Sequence, residues 1–241
     1  MCCAQKLQLS VLRKPMWRLL LLLSCAAPAQ AATIAVDVGH HLGAPGAVSA
    51  YGVSELSYNL ALARQVESTL LAAGHKVVLI NADGQMRELR HRVQVAAAAD
   101  LLISIHHDSV QPQYLQAWDV AGKSQHYADQ FSGYSLFIHS QALQFSRSFA
   151  CAQAVSQSLL SQGFKPTNHH APGIAGEERV QLDPRLGIYD ADFVVVRLGK
   201  IPSILFEAGV IVNRAEALAL QEPATQIHMA EAILKGLACL K

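Results

Sequence analysis

Three short apolar runs in this chain each end in residues that can hold a metal ion or move a proton. Thr33-Ile34-Ala35-Val36-Asp37 leads to Gly39-His40-His41, Leu101-Leu102-Ile103-Ser104-Ile105 to His106-His107-Asp108, and Ile204-Leu205-Phe206 to Glu207. Runs of this length, rich in β-branched residues, read as buried strands of a parallel-type sheet. Open α/β sheets bind ligands in the crevice beyond the carboxyl ends of their strands. Two histidines and a glutamate delivered to that edge by separate strands suggest a metal site.

Glu55 stands near the first turn of a long helical pattern, where a helix N-terminus favours negative charge. His106 ends the run Leu101-Leu102-Ile103-Ser104-Ile105, where an imidazole buried without a partner would be costly. Together His40, Glu55 and His106 supply two neutral nitrogens and one carboxylate. That is the donor set of a catalytic zinc site, which leaves one tetrahedral position for water. Zinc (Zn2+) acidifies water and polarises a carbonyl. Glu207 is then the natural group to take the proton and pass it to a leaving amine. His107 beside His106 competes for the same role, but strand neighbours point to opposite faces, so both should not bind one ion. His41 raises the same question beside His40. His126, His139, His169, His170 and His228 read as structural or solvent-facing, and Arg197 as half of a surface ion pair.

The elements that must position these residues alternate along the chain. Strands are expected at Thr33–Asp37, Lys76–Asn81, Leu101–His106, Tyr134–His139, Phe193–Val196 and Ser203–Glu207. Helices are expected from Ser54 to Ala73, Glu88 to Ala99, Phe145 to Ser161, Arg214 to Leu220 and Ala224 to Leu237, from apolar spacing and from breakers such as Gly74, Gly163 and Pro223. This predicts a single α/β domain: a mixed, mostly parallel sheet of about six strands with helices on both faces. Residues 111–131 and 165–186 break the rhythm, and long irregular stretches in compact domains are usually functional.

The chain has 241 residues, of which 51% are hydrophobic, enough for one full core. A formal charge of +1 gives no broad field to attract nucleic acid. Lys6, Arg13, Lys14 and Arg18 precede Leu19 to Leu23, and Ala29-Gln30-Ala31 resembles a cleavage site, so residues 1–31 read as a secretory signal peptide. The apolar stretch is too short for a transmembrane helix, and none is expected in the mature form. Leu22-Leu23-Ser24-Cys25 loosely resembles a lipoprotein processing site, which would anchor the chain through Cys25 instead. Residues 32–241 keep Cys151 and Cys239, and an oxidising destination permits their pairing without requiring it.

Four motifs in order carry a family likeness: Asp37-Val38-Gly39-His40; Ser54-Glu55 leading to Asn59-Leu60-Ala61; Ile103-Ser104-Ile105-His106; and Leu205-Phe206-Glu207-Ala208-Gly209 followed by Asn213-Arg214-Ala215-Glu216-Ala217. Arg87 to Arg92 adds to them. From about Ile34 to Leu237 the chain resembles the zinc-dependent N-acetylmuramoyl-L-alanine amidases of bacterial peptidoglycan. The resemblance implies zinc held by His40, Glu55 and His106, with His106 favoured over His107 by its place in the motif. It also implies Glu207 as catalytic acid and base, and peptidoglycan or a muropeptide as substrate. Some members carry an inserted autoinhibitory helix displaced by an activator protein; residues 165–186, with His169, His170, Glu177 and Glu178, are expected either to lie over the cleft as such a lid or to form a surface loop away from it. Val38 and His107 depart from the family's usual residues. Other readings of the same site are a zinc peptidase or deacetylase of the cell wall, or a non-catalytic peptidoglycan-binding protein.

Overall fold

A computed structural model describes residues 31–240. The expected signal peptide and Cys25 therefore lie outside the described residues, apart from Ala31. In chain order the elements are β1 (Thr33–Val38), α1 (Glu55–Ala72), β2 (Lys76–Ile80), α2 (Leu89–Ala96), β3 (Leu101–Asp108), β4 (Gln116–Val120), β5 (Lys123–Tyr127), β6 (Ser135–Ile138), α3 (Phe145–Ser161), β7 (Val180–Asp183), β8 (Ile188–Asp190), α4 (Val194–Arg197), β9 (Ser203–Val210), α5 (Arg214–Ala219) and α6 (Pro223–Gly236). Seven strands form one sheet in the order β2-β1-β3-β9-β6-β8-β7. The β1–β2, β1–β3, β3–β9 and β6–β8 ladders are parallel, while β6–β9 and β7–β8 are antiparallel.

Alternation along the central strands explains why helices cover both faces. Ile34, Val36, Leu101, Ile103 and Phe206 pack with Leu62, Val66 and Leu70 of α1, Val155 and Leu159 of α3, and Met229 and Ile233 of α6. The intervening Ala35, Leu102 and Leu205 point the other way, towards Ala96 of α2 and Val195 and Val196 of α4. With both faces buried, β1, β3 and β9 read as near-continuous apolar runs in the sequence. Their carboxyl ends then open together at one edge. Cys151 of α3 is disulfide-bonded to Cys239, which follows α6.

Three details differ from the sequence expectation. Residues 194–197 form a short helix rather than a strand, because the β-branched preference of Val194-Val195-Val196 yields to packing of Val195 and Val196 on the second core. The sheet has seven strands rather than about six, since β7 and β8 extend its far edge. Residues 111–131, read as irregular, contain the β4–β5 hairpin, with Ala121 and Gly122 both at positive φ in its two-residue turn.

Candidate metal centre and adjoining cleft

Glu55 is the hub of the site. As the first residue of α1 it projects its carboxylate to the sheet edge, 2.8 Å from His40 Nε2 and 3.1 Å from His106 Nδ1, one imidazole to each oxygen. Asn59, one turn along α1, donates to Glu55 Oε1 at 3.1 Å, and the Ala47 amide donates to Oε2 at 3.2 Å. Burial alone would raise the Glu55 pKa, but hydrogen bonds from His106 and His40 and their positive charge carry it far below the usual carboxylate range. It stays an anion, the form a cation needs. The donor atoms of His40, Glu55 and His106 lie within 4.8 Å of one another. Two imidazoles and a carboxylate at that spacing fit zinc.

A buried polar network holds the loop that carries His40. Arg92 of α2 donates to the backbone carbonyls of Val38 (2.6 Å), Met86 (2.7 Å) and His40, and pairs with Asp37 at 3.2 Å. Ser104 Oγ donates to the other Asp37 oxygen at 2.6 Å. Asn81 Nδ2 reaches the same Val38 and His40 carbonyls at 2.7 and 2.8 Å. These bonds hold His40 at φ 66, a left-handed conformation that non-glycine residues seldom adopt. Two glycines make room for the side chains of His106 and Glu55. A Cβ at Gly39 would come within clashing distance of the His106 ring, and one at Gly46, itself at φ 79, would strike Glu55 Oε2.

The neighbouring histidines are otherwise engaged. His107 is buried with Nδ1 2.8 Å from Asn59 Oδ1, and burial pushes its pKa down to about 3. Its face of the strand turns it away from the three-donor cluster. His41 Nδ1 accepts from the Gly43 amide at 3.0 Å and belongs to the loop.

Glu207 of β9 pairs in register with His106 of β3, at a point where the ladder shifts between His106 and Asp108. Its Oε2 is buried without a hydrogen-bond partner. Burial, and then the negative charges of Asp108 and Glu55, push its pKa well above the ordinary carboxylate value. Glu207 also lines a cavity of about 250 Å³ with Asp108, Gln111, His170, Glu177 and Arg179. Glu207 is thus a partly desolvated carboxyl beside a metal-competent cluster, opening into a cleft.

The family model for N-acetylmuramoyl-L-alanine amidase matches residues 34–239. The chain belongs to this family. It is 28% identical over 214 residues to the uncharacterized protein YqiI of Bacillus subtilis, covering 88% of this chain and 86% of that one. It is 27% identical to the N-acetylmuramoyl-L-alanine amidase LytC of the same organism, covering 87% of this chain and 35% of LytC. The fold matches the N-acetylmuramoyl-L-alanine amidase AmiC2 of Nostoc punctiforme with a TM-score of 0.64 and 23% identity, covering 86% of this chain and 95% of that one.

Within this amidase fold, residues 165–186 carry no helix; they form turns and the whole of β7. They pack against the end of β3, where Glu177 Oε1 accepts from the Gln111 amide at 2.5 Å and His170 Nε2 lies 2.7 Å from Asp108 Oδ2. His169 Nε2 lies 3.3 Å from the same oxygen. His169 and His170, read from sequence as structural or solvent-facing, thus join Asp108 in a second cluster of metal-competent donors. No spacing rule could have joined Asp108 to side chains so far along the chain. Arg197 pairs with Asp192 on the surface. The positioning roles of Arg92, Asn81 and Asn59 were also not read from sequence, though Arg87 to Arg92 and Asn59 lie in the family-like motifs.

Proposed function

We propose that this amidase-family chain is a zinc hydrolase that cleaves the amide between the lactyl group of N-acetylmuramic acid and L-alanine in peptidoglycan. The observation that carries the reading is the convergence of His40, Glu55 and His106 at one sheet edge, beside the raised-pKa carboxyl of Glu207. His40, Glu55 and His106 hold the ion, and Asn59 and the Arg92 network keep Glu55 and His40 oriented. Zinc, when bound, supplies a Lewis acid that polarises the scissile carbonyl and acidifies water. Glu207 accepts the proton of the attacking water and delivers it to the L-alanine nitrogen as the C–N bond breaks. A carboxyl held above its ordinary pKa is suited to that second transfer. The cleft beyond Glu207, bounded by residues 165–186, receives the stem peptide.

Export of the chain by residues 1–31 accords with its substrate and with the Cys151–Cys239 disulfide, which needs an oxidising compartment to persist. Among the described residues no helix is long and apolar enough to cross a membrane. Digestion of purified muropeptides, with the new termini identified by mass spectrometry, tests the reading. Release of intact stem peptides beginning with L-alanine is expected. Shortened stem peptides would make the chain a peptidase, and released acetate a deacetylase.

A further inference from the structure

We infer that Asp108, His169 and His170 form a second binding site for a divalent transition-metal ion, distinct from the His40–Glu55–His106 centre. The argument rests on which nitrogen of each ring is already engaged. His170 Nδ1 lies 3.1 Å from the Glu177 backbone carbonyl, which can only accept, so Nδ1 carries the proton. His169 Nδ1 is 3.0 Å from Thr167 Oγ1, a geometry that lets it donate to the hydroxyl oxygen. In its neutral form each ring then turns its Nε2 lone pair towards one carboxylate oxygen, Asp108 Oδ2, at 2.7 and 3.3 Å, and a cation between them removes the need for a proton on either Nε2. Metal-binding histidines characteristically give their other ring N–H to a carbonyl or similar acceptor, which fixes the tautomer.

His169 supplies the second, independent observation. Its side chain is fully buried, and Nε2 has no hydrogen-bond partner although it points into the cluster. A proton there would lack an aligned acceptor, whereas a cation shared by the three donors satisfies all of them. Neighbouring ligands of a zinc-sized ion, bonded at about 2.0–2.1 Å, stand about 3 Å apart, as each Nε2 does from Asp108 Oδ2, and all three donor atoms lie within 4.8 Å of one another. Two imidazoles and one carboxylate select a borderline ion such as zinc or cobalt(II) over magnesium or calcium. Asp108 and His170 also line the cavity that holds Glu207, so an ion here would clamp the 165–186 segment onto the end of β3 at the cleft wall. The site does not depend on how the first centre is assigned.

The test uses the full-length protein, stripped with chelator and titrated with Zn2+, with bound metal counted after gel filtration. Two ions per chain are expected in the parent, one in His169→Ala, one in Glu55→Gln and none in the combined variant. Thr167→Val, which removes only the group holding the His169 ring, should weaken one of the two affinities about 10–100-fold. It serves as the second variant should His169→Ala fail to fold. A parent with one ion, unchanged in His169→Ala and Thr167→Val but lost in Glu55→Gln, would overturn the second site while leaving the first. One ion lost in His169→Ala and kept in Glu55→Gln would support the second site and refute the first.

Discussion

Arg92→Met is the perturbation that most sharply tests how the fold holds His40 in place. The Arg92 guanidinium is 1% exposed, as is its partner Asp37. Methionine keeps much of the stem packing but removes every donor. The Val38 and His40 carbonyls still have Asn81, and Asp37 still has Ser104, but the Asp37 charge loses its counter-ion in a buried site. Removing one partner of a buried pair costs about 3–5 kcal/mol. Urea unfolding should show a loss of that size. Asp37→Asn in the same chain should recover part of it, because a neutral amide needs no counter-charge; the coupling should be about 1–3 kcal/mol in a double-mutant cycle. Zinc affinity, measured by competition with a chromophoric chelator, should fall about 10–100-fold, as when other supporting contacts of metal ligands are removed. A stability loss below about 1 kcal/mol, the scale of an exposed pair, would refute the reasoning. So would strictly additive mutations, or a lost stability with unaltered zinc affinity.

Gly39→Ala should leave a folded protein that has lost zinc, since the new methyl lies within clashing distance of the His106 ring and displaces it; normal metal content would contradict the close approach. Reducing Cys151–Cys239, or replacing both by serine, should lower unfolding free energy by about 4–5 kcal/mol for a bond spanning 88 positions, read from urea midpoints with and without reductant. Glu216, which accepts from the Val210 and Gly133 amides, has its pKa raised to about 6, chiefly by burial. Its folded pKa lies above its unfolded value, so its contribution is fully present at low pH and is lost as pH rises through about 6. Against Glu216→Gln, the parent should therefore lose about 2 kcal/mol of relative stability between about pH 4 and pH 7.5; a pH-independent difference would refute the shift.

The sequence makes the central sheet legible because β1, β3 and β9 are buried on both faces, leaving largely apolar runs, broken only by Asp37 and Ser104 before the polar residues at their ends. The amphipathic spacing of α1 similarly marks its span and puts Glu55 at its start. Other parts depend on contacts that a local pattern does not carry. Val194-Val195-Val196 favours a strand by residue type, yet tertiary packing turns it into a helix. The β4–β5 hairpin is polar, and its Ala121-Gly122 turn lacks the Asn-Gly signal. Arg92 lies in the charged stretch Arg87 to Arg92, and its burial follows from an acid, Asp37, inside a strand far along the chain. The Asp108–His169–His170 cluster is invisible for the same reason: it is assembled by a loop folding back on a strand end.

The measurement that bears most directly on the account is zinc content together with stem-peptide release, compared between the parent and Glu207→Gln. Retention of zinc by both proteins, with peptides headed by L-alanine released only by the parent, is the predicted result. Loss of zinc in Glu207→Gln would make Glu207 a ligand, and release at the parental rate would remove it from the chemistry; either would contradict the central claim.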